Sequence, residues 1–171
     1  MLFNSNSWRT LRKTLRPLRL NKMTLKQQTL LRYKEMLQDR IDVFQDMISG
    51  LTLDAQNDAK GSAGDKHETA LSMMHLEQEK LNHKLKEILE QKAILDKIDA
   101  SQTHKKVALG SLVKSNGMLL FISTALPKLS IENKTIFALS PQSPLGSKLM
   151  GNEVGFEFDM NGKPYTIESV I

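Results

Sequence analysis

The chain has no cysteine among its 171 residues, which excludes disulfides, thiolate zinc sites and thiol catalysis. Histidine is scarce as well, 4 in all, so a multi-histidine metal centre would use nearly every one. No apolar run approaches the ~18–20 residues of a membrane-spanning helix, and no membrane partner is expected. Proline is absent from residue 18 to residue 126, while four of the five prolines fall later, at Pro127, Pro141, Pro144 and Pro164. Proline removes a helix donor and clashes with the preceding turn. Its absence therefore permits long helices, and its return marks a change of architecture. There is no phosphate-binding glycine loop, no serine nucleophile elbow and no metalloprotease helix. What remains, 40% apolar and 25% charged residues, is a globular composition long enough for one or two small domains.

The formal net charge is +5, but it is unevenly placed. Residues 1–22 carry Arg9, Arg12, Lys13, Arg16, Arg19 and Lys22 with no acid, while the rest of the chain has 18 basic and 19 acidic residues. The basic character thus belongs to a tail, and the body offers no broad electrostatic footprint for DNA. This tail reads as a transit peptide, a nucleic-acid arm, or a disordered or non-native extension ahead of Met23, where a clean helical pattern opens.

Residues 24–58 and 66–100 each predict one long helix. In the first, Leu30, Leu37, Phe44 and Leu51 step by seven, with Ile41 and Ile48 between them and Lys34 as the one charged member of the seam. In the second, Met74, Leu81, Ile88 and Leu95 step by seven, joined by Leu71 and Leu85 and interrupted by Gln78 and Lys92. Such heptads make a narrow apolar seam. Gly61-Ser62-Ala63-Gly64 lies between the helices and can turn the chain. The expected product, over residues 23–102, is an antiparallel coiled-coil hairpin about 50 Å long, with its tip near 59–69.

From 105 to 171 the pattern changes to short alternating runs. Leu119–Ile122, Thr135–Leu139, Phe156–Met160 and Tyr165–Glu168 read as strands, and Asn161-Gly162 is a strong hairpin signal. Ser143-Pro144-Leu145-Gly146 opens a short helix that Gly151 ends. The fold class is therefore α+β: a helical hairpin followed by a small antiparallel β domain with one short helix.

The residues most able to carry chemistry lie in Gly64-Asp65-Lys66-His67-Glu68-Thr69-Ala70. Asp65 and Glu68 are three apart at a helix start, so both carboxylates can project from one end of the hairpin and share a hard cation such as Mg2+. The same spacing is also a capping box, in which both acids satisfy the first amides and the positive end of the helix dipole. The two roles are compatible. His67, His75 and His83 recur every eight residues, which drifts around a helix and makes no ligand face. Met73-Met74, Asp42 with Asp46, and Lys80, Lys84 and Lys92 read as seam or solvated-face residues.

The tip sequence resembles the Gly-Asp-x-x-Glu-Asn-Ala motif of the Gre-type transcript cleavage factors, the GreA/GreB family of bacterial transcription elongation factors. Ser140-Pro141-Gln142-Ser143-Pro144-Leu145-Gly146-Ser147-Lys148-Leu149-Met150-Gly151, followed by Gly155 and a final hairpin, is similar to that family's second motif, and Gly110-Ser111 falls where its β domain begins. The resemblance covers about residues 24–171. It implies an FKBP-like β domain that docks on bacterial RNA polymerase, with Ser143, Pro144, Leu145 and Gly146 in the docking motif. It implies that the coiled coil enters the secondary channel. Asp65 and Glu68 would there help to hold a shared Mg2+ and a water near the 3′ end of the nascent RNA. On this reading the protein is cytoplasmic, a monomer without a permanently bound cofactor, and an accessory factor rather than an enzyme. The family's Asn is Thr69 here, its following aromatic is replaced in Leu71-Ser72, Lys66 stands for an apolar residue and Leu76 for an arginine. A non-cleaving regulator that occupies the channel is the first alternative. A chaperone-like coiled-coil hairpin and a prolyl isomerase are more distant ones.

Overall fold

The computed structural model describes the backbone of residues 23–58 and 65–171, and their side chains except at 56–58 and 65–68. It divides into two compact units. Arg32–Ile98 form one, and the described residues before Arg32 form the other with Asp99–Ile171. The basic segment 1–22 and the glycine turn expected at 61–64 lie outside the described residues.

Helix α1 spans Leu25–Asp58 and helix α2 spans Asp65–Asp96. The start of α1 is set by a capping box. The Gln27 amide donates to Thr24 Oγ1 at 3.3 Å, and the Thr24 amide donates to Gln27 Oε1 at 3.0 Å, so two otherwise orphaned donors are satisfied reciprocally. At 34 and 32 residues, the helices are each about 50 Å long.

Within the helical unit the two are packed antiparallel along the expected seam. Leu37, Ile41, Leu81, Ile88 and Leu95 are buried, and Phe44, Ile48, Met74 and Leu85 are half-buried. The polar interruptions of the seam pair with each other or with its flank. Gln78 Nε2 donates to Thr52 Oγ1 at 2.9 Å. Lys34 and Lys92 both reach Asp96, at 3.1 Å and 2.7 Å. Thr52 lies as far along α1 from Lys34 as Gln78 lies back along α2 from Asp96, so the register holds without a slip between the two links.

The second unit is a six-stranded sheet in the order β3-β4-β2-β1-β6-β5. Its strands are β1 (Leu112–Ser115), β2 (Met118–Ile122), β3 (Leu126–Ile131), β4 (Lys134–Leu139), β5 (Glu157–Met160) and β6 (Lys163–Val170), with helix α3 (Pro144–Leu149) between β4 and β5. The expected antiparallel sheet is in fact mixed, because β2 and β4 pair in parallel, Leu120 opposite Phe137 and Ile122 opposite Leu139. The cause is topological: β3 crosses to the edge, and the β3–β4 hairpin returns β4 into the vacant position beside β2. One face of the sheet buries Val113, Leu120, Ile122, Phe158 and Ile167 together with Val107 and with Leu149 of α3. Leu112, Phe121, Ile136 and Ala138, at the alternate positions of β1, β2 and β4, are buried on the opposite face. Asn161 and Gly162 both have positive φ, 56° and 75°, the conformation that a two-residue hairpin loop requires. Among the described residues no helix is long and apolar enough to cross a membrane.

Candidate functional site

Two places were expected to carry function, and they fall in different units. In the helical unit, α2 begins at Asp65, so Asp65 and Glu68 both stand in its first turn, at the positive end of the helix dipole. Their side chains, and that of His67, lie outside the described residues. Continuing the α1–α2 register sets Asp58 level with Ser72. The first two turns of α2 therefore extend past the last described residue of α1, which places both acidic positions at the far end of the helix pair.

The other helical candidates keep their structural roles. Asp42 accepts from Gln38 Nε2 at 2.8 Å along its own helix. His83 is exposed and contacts Glu87 at 3.4 Å, Lys80 lies 3.6 Å from Glu77, and Lys92 is taken by Asp96. Met74 is half-buried at the seam, whereas Met73 and Leu76 are 67% and 57% exposed. Among the described residues no three histidine, aspartate or glutamate side chains cluster as metal ligands.

In the sheet unit, Ser143-Pro144-Leu145-Gly146 is the N-terminus of α3. The Gly146 amide donates to Ser143 Oγ at 3.0 Å, and that hydroxyl in turn donates to the Ser140 carbonyl at 2.7 Å. Pro144 occupies the first turn, where its missing N–H costs nothing. Ser143, Pro144 and Leu145 line an open cavity of about 410 Å3, together with Leu139, Met160 and the β5–β6 turn. Lys148 closes one side, its Nζ donating to the Asp159 carbonyl at 3.0 Å. The Asp159 carboxylate accepts from the Gly162 amide at 3.1 Å. An apolar floor with one cation and one anion at its rim suits a protein side chain or an apolar ligand. Gly146, the last residue of the motif, is buried and does not line the cavity.

A third group was not foreseen. Lys26 is only 2% exposed and donates to the Gln102 carbonyl at 2.7 Å. Burial pushes its amine below the usual lysine range, and the charge of Asp99 opposes that. Asp99 accepts from the Ser101 hydroxyl and amide at 2.6 Å and 2.9 Å and from Gln102 Nε2 at 3.3 Å. These bonds, with the Lys26 charge, hold its carboxyl below the usual range. His104 Nδ1 is 3.2 Å from Ser111 Oγ, and burial followed by the charge of Lys26 pushes its imidazole down. A serine–histidine pair invites a hydrolase reading, but Ser111 is 0% exposed, and the charge felt by the imidazole is that of Lys26 rather than of an orienting carboxylate. The sequence signal was present: Lys26 precedes Leu30 by four and so continues the apolar stripe of α1.

No family model matches the chain, and no curated protein matches it.

Proposed function

We propose that this protein is a Gre-like elongation factor that stimulates the cleavage of backtracked RNA by RNA polymerase. The observation that carries the reading is the position of Asp65 and Glu68, in the first turn of α2 at the far end of a packed helix pair about 50 Å long. A slender pair of helices suits a pore, and an acidic end suits a phosphoryl-transfer centre that uses divalent ions. The helix pair is on this reading a coiled coil, the sheet unit an FKBP-like docking domain, and the protein cytoplasmic.

The donor set fits Mg2+ held jointly with a partner. Two carboxylate positions three residues apart offer hard oxygen ligands of the kind magnesium takes. They would supply only some of the ion's ligands, and on this reading the polymerase and the RNA would supply the rest. When bound, the ion lowers the pKa of a coordinated water. The chain's own contribution is to deliver the two carboxylates, fixed on a helix start, and to position that water. The Ser143–Leu145 lip and its cavity supply the docking surface.

The test is a backtracked elongation complex with its cognate polymerase. Added protein should shorten the RNA, and Asp65→Ala with Glu68→Ala should abolish shortening while binding persists. Equal shortening by the double variant removes the role assigned to the two acids. The exposed Leu76, where the family motif has arginine, favours a second reading, a channel-occupying regulator without cleavage. That reading predicts polymerase binding and inhibition with no RNA shortening by the wild-type protein.

A further inference from the structure

Lys26, Asp99, Gln102, His104 and Ser111 come together where the first turns of α1 meet the connector between α2 and β1. All five lie in the sheet unit. Their hydrogen bonds fix how a proton is accommodated. Ser111 Oγ accepts from the Ala108 amide at 3.0 Å and stands 3.2 Å from His104 Nδ1, so the neutral imidazole with Nδ1 unprotonated is the form that accepts the proton of this buried hydroxyl. A protonated imidazole carries a hydrogen on Nδ1 and reverses that bond, which leaves the proton of a fully buried hydroxyl without an acceptor. It also sets a second cation near the buried ammonium of Lys26. The carboxylate opposite, Asp99, is already engaged by Ser101 and Gln102. Lys105 and Lys106, next in the chain, are themselves cations and cannot offset a charge on His104; Glu153 is taken by Lys106 at 3.6 Å, and Glu132, on the β3–β4 turn, accepts from Gln28 of α1 at 3.4 Å.

We propose that His104 is a proton-operated release for the N-terminus of α1. Neutral, it lets the connector hold Lys26 through the Gln102 carbonyl; protonated, it loosens that hold on Leu25–Leu31. The device is independent of the cleavage reading, because it contains neither the acidic end of α2 nor the α3 cavity. Its sign follows from the depressed imidazole. The stabilisation is complete above the ordinary histidine pKa of about 6.5 and is lost as pH falls from there through the folded-state value.

Amide hydrogen exchange on the full chain tests it, with rates corrected for the intrinsic pH dependence. Between pH 7.5 and 5.5 the protection of Gln28–Leu31 should fall by at least about threefold, in the direction that a depressed imidazole sets. In His104→Gln, which does not titrate, the fall should be under about twofold on the same scale. In Lys26→Met, which keeps the apolar stem, the His104 titration followed by NMR should move up towards its ordinary value. An equal loss of protection in His104→Gln overturns the proposal, as does wild-type protection that ignores pH or a wild-type His104 that titrates at or above the ordinary value. If Lys26→Met does not fold, the comparison of His104→Gln with wild type decides alone.

Discussion

Gly146 lies so close beneath the Ser140 carbonyl that a Cβ at position 146 would stand 2.0 Å from its oxygen and 2.9 Å from Ser143 Oγ. That carbonyl cannot swing away cheaply, because it accepts from both the amide and the hydroxyl of Ser143, at 3.0 Å and 2.7 Å. The glycine in the motif is therefore required by close approach rather than by chain flexibility. Gly146→Ala should destabilise the sheet unit by about 2–3 kcal/mol through overpacking. In urea unfolding this appears as a lower midpoint with an unchanged slope. A shift equivalent to less than about 0.5 kcal/mol would mean that the turn relaxes freely.

Gln78 and Thr52 form a polar link in an otherwise apolar seam, and Thr52 passes the bond on to the Ile48 carbonyl at 2.9 Å. Thr52→Val alone strands a half-buried amide and should cost about 1 kcal/mol. Thr52→Val combined with Gln78→Leu removes both partners and should be neutral or stabilising. A double-mutant cycle by chemical denaturation should therefore return a coupling of about 0.5–1 kcal/mol; strict additivity would remove the link from the account.

Asp96 receives Lys92 on one oxygen and Lys34 on the other. The hydrogen bond from Lys92 chiefly holds its carboxyl below the usual range; the bond from Lys34 and both charges add to this against slight burial. The contribution to stability is thus complete above the ordinary carboxylate pKa of about 3.9 and is lost as pH falls through the lower folded-state value. Asp96→Asn should cost no more than about 1 kcal/mol at neutral pH, because the group is exposed. The gap from wild type should narrow near pH 2.5 and in high salt. A gap independent of pH would show that the charges contribute nothing.

The seam of the helix pair was legible in the sequence because a buried stripe leaves a sevenfold trace: Leu37, Leu81, Ile88 and Leu95 are all buried. Asn161-Gly162 and Ser143-Pro144 were legible for local reasons, a positive-φ turn and a hydroxyl cap. Strands β1 and β3 were not. Leu112-Val113-Lys114-Ser115 is buried at three of its four positions, so it has no alternation to detect, and β3 contains Pro127, which argues against a central strand. Here β3 is an edge strand, where proline is tolerated. The parallel β2–β4 pair leaves no local mark at all, since it follows from the path of β3. The acidic positions at the start of α2 were read from spacing. The Lys26 group left one mark, its place four residues before Leu30 on the apolar stripe of α1, but a lysine there reads as solvated until a carbonyl from the connector meets it.

The two roles open to Asp65 and Glu68, capping and metal ligation, separate under conservative substitution. Asparagine caps a helix about as well as aspartate, and glutamine replaces glutamate in a capping box, but neither amide supplies an anionic ligand to a hard cation. Asp65→Asn with Glu68→Gln should therefore leave the thermal stability within about 0.5 kcal/mol of wild type. In the RNA-shortening assay the same variant should require more Mg2+. The loss of about 1.4 kcal/mol of ligand binding raises the half-saturating concentration about tenfold. If the acids serve only as caps, the variant matches wild type at every Mg2+ concentration, while Asp65→Ala with Glu68→Ala lowers stability by about 1 kcal/mol. Titrating Mg2+ against cleavage for both double variants, beside their thermal melts, thus assigns the carboxylates to the helix or to the metal.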